Sequence, residues 1–250
     1  MNDIVLDIVD LRKSFTLHNI DGRSISALNG VSLRVHAGEH VALAGSSGAG
    51  KSSLLKCVYR TYTPSHGTIT LTDSNGQHLE LSSLGEREMV AVRGRRLGYV
   101  SQFLRAQPRR TPREIVVAAG LMRGAHPDTA QQLAVEALER LRLDRGLWDV
   151  HASVLSGGER QRVNLAAGTI SPPRLLLLDE PVSALDPTNR AAALDLIADL
   201  TTAGVAVLSV FHDLDAMERL ASRVVVMDTG RVSHDGPSHD IVRTLEQVAR

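Results

Sequence analysis

The sequence has one cysteine, Cys57, so it can form neither an internal disulfide nor a cysteine metal cluster. Cys57 shares an apolar helical stripe with Leu54 and Val58, the place of a core thiol. Aromatics are scarce too, with three Phe, three Tyr and one Trp in 250 residues. Excess charge is absent: Lys and Arg number 28, as do Asp and Glu, which removes the whole-chain electrostatic case for nucleic acid and leaves room only for a local patch. Long apolar runs are missing as well. The longest, 115–122 and 205–211, fall far short of the roughly 20 residues that span a bilayer. Residues 1–10 alternate acidic and apolar side chains without a basic region followed by an apolar one, so no signal peptide is visible and a cytoplasmic location is expected. No internal repeat, low-complexity tract or linker interrupts the chain. Its length and 43% hydrophobic content suit one large α/β domain, or a core with a subdomain.

What is present is organised around Gly45-Ser46-Ser47-Gly48-Ala49-Gly50-Lys51-Ser52-Ser53, a G-x-x-x-x-G-K-[ST] pattern between a strand-like run, Val41 to Ala44, and a helical one, Ser53 to Val58. The glycines let successive N–H groups face inward at the positive end of a helix dipole, making an anion cradle suited to polyphosphate. Lys51 adds a cation for the β- and γ-phosphates, and the Ser52 hydroxyl is placed to ligate Mg²⁺.

Before this loop, Ile4 to Val9 and Ser26 to Val35 alternate as half-buried strands around a turn-rich link at 19–22. Phe15 in this region is either core or an exposed ring able to stack on adenine. After the loop, turns at His66-Gly67 and Asn75-Gly76 frame short strands at Thr68 to Thr72 and Leu79 to Leu81, and Leu97 to Val100 is a strand ending at Ser101-Gln102. Residues 103–165 read as mainly helical: Thr111 with Pro112 opens one helix through Met122, and Pro127-Asp128 a second carrying Leu133, Ala137, Leu138 and Leu141. Ser156-Gly157-Gly158-Glu159 before a helical register forms a second anion site, with a capping hydroxyl and flexible amides.

Leu175 to Leu178 is a fully apolar strand of the buried parallel kind, delivering Asp179 and Glu180 at its C-terminal edge. A helix from Asn189 to Leu200 and a strand from Val205 to Val210 follow, the strand ending at Phe211-His212-Asp213. Strands at Val224 to Met227 and Arg231 to Ser233 and a helix over 241–249 close the chain. Asp179 is expected to support the Mg²⁺ shell opposite Ser52, and Glu180 to act as general base toward the water attacking the γ-phosphate. His212 could hold the γ-phosphate and Glu180; Gln102 could reach Mg²⁺ or that water.

Phe15, 45–53, Gln102, 155–161, 175–180, Ser183-Ala184-Leu185-Asp186 and His212 occur in the order and spacing of the ATP-binding-cassette ATPases, which the chain resembles over nearly its whole length. The resemblance implies a P-loop NTPase fold. Residues 1–102 and 166–250 would form a RecA-like core with an antiparallel β subdomain, and 103–165 a helical signature subdomain. Phe15 would be the adenine-stacking ring, Gln102 the Q-loop, Ser156 to Glu159 the signature and His212 the switch histidine. ATP and Mg²⁺ are the implied cofactors. The implied partner is a second cassette, head to tail, whose Ser156, Gly157 and Gly158 complete the site on the first copy's phosphate loop. More finely, 101–105, Pro108-Arg109, Leu147-Trp148, Arg162-Val163-Asn164 and Phe211-His212-Asp213 are similar to PhnL, an ATPase-like subunit of the bacterial carbon-phosphorus lyase system. That likeness implies phosphonate catabolism, in the assembly that forms ribose 1-methylphosphonate 5-triphosphate, with the lyase subunits as partners. The alternative is the ATP-binding subunit of a transporter of the lipoprotein-release or macrolide-export type, docked on a membrane permease. In either case Arg93, Arg95, Arg96, Arg105, Arg109, Arg110 and Arg113 are a docking surface or a solvated face. A DNA- or ribosome-directed cassette is disfavoured by the neutral charge and the absence of a second cassette. Val182 stands where threonine is usual, and Ala167 where arginine is, a change expected to remove a cation near the dimer surface.

Overall fold

The computed structural model describes residues 3–17, 23–101 and 109–248. It is an α/β fold, with an antiparallel sheet and helical elements around a mainly parallel sheet. The antiparallel sheet has the order β2-β1-β4-β5, built from β1 (Ile4–Leu17), β2 (Arg23–His36), β4 (His66–Thr72) and β5 (His78–Glu80). The link at 19–22 lies outside the described residues. The second sheet runs β10-β9-β3-β8-β7-β6. Its members are β3 (His40–Ala44), β6 (Leu97–Val100), β7 (Leu175–Asp179), β8 (Ala206–Val210), β9 (Arg223–Asp228) and β10 (Arg231–Pro237), parallel throughout except for the β9–β10 hairpin.

The uninterrupted leucines of β7 have a plain physical reason. Side chains alternate between faces along a strand, and here both faces are covered. Leu175 and Leu177 join a core with β1, β2, β4 and the helix after the phosphate loop, α1 (Lys51–Val58). Leu176 and Leu178 join a second core formed with the other helices. Those are α3 (Pro112–Met122), α4 (Pro127–Arg140), α5 (Gly157–Thr169), α6 (Pro187–Thr202), α7 (Leu214–Leu220) and α8 (Ser238–Val248). Val41 and Leu43 of β3 face the first core, Ala42 and Ala44 the second. Cys57 is wholly buried in the first, where desolvation pushes its thiol up to about 11.

Helix α3 starts as its residues dictate. Thr111 Oγ1 accepts from the Glu114 N–H at 3.2 Å, the Glu114 carboxylate accepts from the Thr111 N–H at 2.9 Å, and Pro112 occupies the first turn. A helix absent from the sequence reading, α2 (Glu86–Arg95), lies between β5 and β6. Half of its residues are charged and it buries only Met89, Val92 and Gly94, so no long apolar stripe marks it. Its signals are end signals: Glu86 and Glu88 in the first turn, Arg93 and Arg95 in the last. Helix α5 is continuous across residues 165 and 166, where the sequence reading divided helical insert from core.

His40, at the start of β3, is buried, with Nε2 2.8 Å from Ser209 Oγ and its ring beside Phe211. Desolvation lowers its pKa from 6.5 to about 3. The folded chain therefore binds fewer protons than the unfolded one between those values, and stability held above pH 6.5 is lost as pH falls toward 3, by up to about 1.4 kcal/mol per unit. Between pH 6.5 and 5, the wild-type chain should lose about 2 kcal/mol more than His40→Gln in denaturant melts. Parallel losses in the two chains would refute this.

Candidate functional site

Four strand ends of the parallel sheet meet at one rim. The loop after β3 carries the phosphate cradle, β7 ends in Asp179 and Glu180, β8 is followed by His212, and β6 leads toward residue 102. Gln102 and Arg105 lie outside the described residues.

The loop holds its shape through positions only glycine fits. Gly45 has φ +129°, and a Cβ there would sit 2.1 Å from the Met227 carbonyl oxygen; Gly50 has φ +100°, with a Cβ 2.4 Å from the Ala27 carbonyl oxygen. Lys51 is buried, and its ammonium donates to the Gly45 and Ser46 carbonyls at 2.7 and 2.8 Å. Burial lowers its pKa, while the Glu180 and Asp179 carboxylates act to raise it. Ser52 Oγ donates to Asp179 Oδ1 at 3.0 Å. This serine–aspartate pair offers hard oxygens at the base of the cradle, the donor chemistry that suits Mg²⁺. Among the described residues no group of three or more His, Cys, Asp or Glu could hold a metal by itself, so such an ion would depend on phosphate and water for its remaining ligands.

Glu180 sits at φ +52°, a left-handed turn unusual for glutamate, with its N–H donating to the Val210 carbonyl at 3.0 Å. The turn brings its carboxylate 2.8 Å from His212 Nε2. Ala27, Ser47 to Ser53, Glu180 and His212 together line a cavity of about 190 Å³. Sequence reasoning thus named most of this wall, but not Ala27, whose distance along the chain gave no hint.

Ser156 to Gly158 do not line this cavity. Ser156 and Gly157 are exposed at the N-terminus of α5, where Ser156 Oγ accepts from the Glu159 N–H at 3.3 Å. Glu159 is in turn occupied: its carboxylate accepts from the Ser156 N–H at 2.7 Å, which lowers its pKa. Glu159 and Ser156 thus cap the start of α5 reciprocally. Asp186 likewise caps α6, accepting from the Thr188 and Asn189 N–H groups at 3.1 Å. Phe15 is half-buried, its ring edge-on to Tyr62 at 5.0 Å and under Lys13 Nζ at 4.9 Å.

Sequence reasoning missed two side chains of α5 and one of β6. Gln161 Nε2 donates to the Pro181 carbonyl at 3.0 Å, Asn164 Nδ2 to the Ser101 carbonyl at 2.6 Å, and the Tyr99 hydroxyl to Asp179 Oδ2 at 3.1 Å. Polar residues three apart, and so on one face of a helix, were the available signal for the first two.

The arginine cluster is not one free surface. Arg93 donates to the Tyr59 and Arg60 carbonyls at 2.9 and 2.8 Å, Arg96 pairs with Asp73 at 2.9 Å, and Arg113 pairs with Asp149 at 2.8 Å beneath Trp148. Ala167 lines a groove with Tyr59, Arg93, Tyr99, Met122 and Arg123. Arg123 reaches in beside it from the end of α3 and donates to the Ala167, Gly168 and Ile170 carbonyls. Val182 is buried in the helical core.

Residues 28–183 match the family model described as ABC transporter. The methionine import ATP-binding protein MetN of Thermobifida fusca is 35% identical, over 96% of this chain and 72% of its own. The lipoprotein-releasing system ATP-binding protein LolD of Pseudomonas syringae pv. tomato is 40% identical, over 84% of this chain and 89% of its own. The phosphonates import ATP-binding protein PhnC of Alcaligenes faecalis is 35% identical, over 95% and 84%. None of these three is a PhnL subunit. In fold, the dimeric post-hydrolysis ATP-binding cassette MJ0796, bound to ADP and Pi, superposes with a TM-score of 0.84 over 93% of this chain and 98% of that one at 24% identity. An ATP-binding subunit of an ABC transporter gives 0.81 over 97% and 93% at 26% identity. With the matched span running from within β2 through the phosphate loop and the α5 N-terminus to the far side of Glu180, the chain belongs to the ABC transporter family, as one of its ATP-binding ATPase cassettes.

Proposed function

We propose that the chain is the ATP-hydrolysing subunit of a membrane transporter, working as a head-to-tail pair of cassettes on a permease. The observation that carries the reading is the meeting of Lys51, Ser52, Asp179, Glu180 and His212 at one rim. Lys51 and the loop amides hold the β- and γ-phosphates, Phe15 flanks the adenine, and Gln102 meets the metal or the attacking water. Ser52 and Asp179 would hold Mg²⁺, which when bound neutralises charge on the transferring phosphoryl group. Glu180 orients the attacking water and takes its proton, and His212 fixes the Glu180 carboxylate and contacts the γ-phosphate. Exposed Ser156 and Gly157, with Gly158, lie off their own chain's cavity and are free to close over a second copy's nucleotide. Residues 109–169 form the subdomain that presents them.

The permease reading is supported by the relatives' import and release systems and by the groove between α2, α3 and α5. Met122 is 60% exposed beside a floor of Tyr59, Tyr99 and Arg123, and Val90 on α2 is 57% exposed. No helix among the described residues is long and apolar enough to cross a membrane, so the spanning part would belong to the partner. Two of the residues behind the carbon-phosphorus lyase reading have packing duties here: Trp148 is buried with Nε1 donating to the Leu143 carbonyl, and Phe211 is buried beside His40.

The test is a pull-down of the tagged Glu180→Gln chain with ATP from cytosol and from detergent-solubilised membrane, with and without Met122→Glu. A polytopic membrane protein retained by the first and lost with the second is expected. Recovery of carbon-phosphorus lyase subunits alone would replace the transporter reading with that of the accessory ATPase.

A further inference from the structure

Asp179 is buried, and each of its oxygens is engaged by a different neighbour. Ser52 holds Oδ1 at 3.0 Å from α1, and the Tyr99 hydroxyl holds Oδ2 at 3.1 Å from β6. Two donors on one carboxylate oppose its rotation about the terminal torsion, which is otherwise soft. The Tyr99 ring is itself braced. It stacks on Tyr59 with centroids 4.9 Å apart and planes at 31°, and the Arg93 guanidinium covers Tyr59 at 5.2 Å while bonding to the Tyr59 and Arg60 carbonyls. Phenylalanine would fill the same space and make the same stack, so the phenolic oxygen contributes only through Asp179.

We propose that Tyr99 is a positioning residue that sets the orientation in which Asp179 meets the metal–nucleotide complex, linking the groove wall to the magnesium side of the site. The proposal rests on the reading of Asp179 as support for the Mg²⁺ shell. Hydrogen bonds to metal-supporting carboxylates orient them, and removing such a bond weakens metal affinity about 10- to 100-fold.

The test is equilibrium binding of a fluorescent, slowly hydrolysed ATP analogue with Mg²⁺ titrated from zero, on wild type, Tyr99→Phe and Asp179→Asn. Tyr99→Phe should raise the Mg²⁺ half-saturation concentration about tenfold. Its affinity for the analogue in EDTA should match wild type, which a merely structural role would not produce. An unchanged half-saturation in Tyr99→Phe alongside a raised one in Asp179→Asn overturns the role of Tyr99 and leaves the magnesium reading intact. Unchanged values in both variants overturn the magnesium reading, and this proposal with it. A second measurement avoids the substitution: with 3-fluorotyrosine at the three tyrosines, the Tyr99 fluorine resonance should move when Mg²⁺ joins the bound analogue. A stationary set of resonances refutes the link.

Discussion

A Glu180→Gln chain is expected to bind ATP as tightly as wild type and to hydrolyse it at least a hundredfold more slowly, since a positioned general base contributes about 10² to 10⁴ in rate. Glutamine keeps the size and the hydrogen-bonding reach of glutamate but cannot take the proton of the attacking water. The left-handed turn at φ +52° and the Val210 carbonyl bond belong to the backbone and survive the change. The partner most affected is His212, now facing an amide 2.8 Å away instead of a carboxylate. With turnover slowed and nucleotide retained, the variant should elute as a dimer in ATP and as a monomer in ADP. A wild-type hydrolysis rate would remove Glu180 from the mechanism, and a slow rate without an ATP-dependent dimer would remove the head-to-tail pair.

The second large effect is expected from Lys51→Ala, with ATP affinity falling at least a hundredfold by isothermal calorimetry. The lysine is buried in the phosphate loop, and its ammonium bonds to the Gly45 and Ser46 carbonyls at 2.7 and 2.8 Å. Charge-assisted bonds in such a place are worth about 1.5 to 3 kcal/mol each, and one or two lost to the phosphates give the stated factor. Lys51→Arg should not restore binding, because a planar guanidinium cannot fold back onto adjacent carbonyls as a compact ammonium does. Recovery of full affinity in the arginine variant would show that charge alone suffices and that the loop geometry is incidental.

How much of this was legible depends on what each feature is made of. The phosphate loop, β7 and the opening of α3 were readable because their causes are local: glycines at fixed spacing, an apolar run buried on both faces, a threonine–proline–glutamate cap. Helix α2 was not, since its register is held by end charges and three small contacts rather than an apolar stripe. The pairing within the arginine cluster was not legible, for the opposite reason. Clustering along the chain says nothing of Tyr59, Asp73 and Asp149, which come from elsewhere and engage Arg93, Arg96 and Arg113. Tyr99 was passed over as one more strand residue, because its bond crosses from β6 to β7, which lie far apart in sequence. Ala167 shows the same limit: the sequence records a lost arginine, and only the fold shows Arg123 beside it.

Helix α5 touches the strand ends through two grips three residues apart, Gln161 on the Pro181 carbonyl and Asn164 on the Ser101 carbonyl. A rod pinned at two neighbouring points near its middle works as a crank. A shift of a few tenths of an ångström between the ends of β6 and β7 becomes a tilt, and the tilt is magnified at the free tip where Ser156 and Gly157 face outward. The far end is not free to slide, because Arg123 clamps it by three carbonyls. In the head-to-tail pair proposed above, a rearrangement beside Asp179 would leave the molecule as a change of aim of Ser156 and Gly157, and the second copy would receive it.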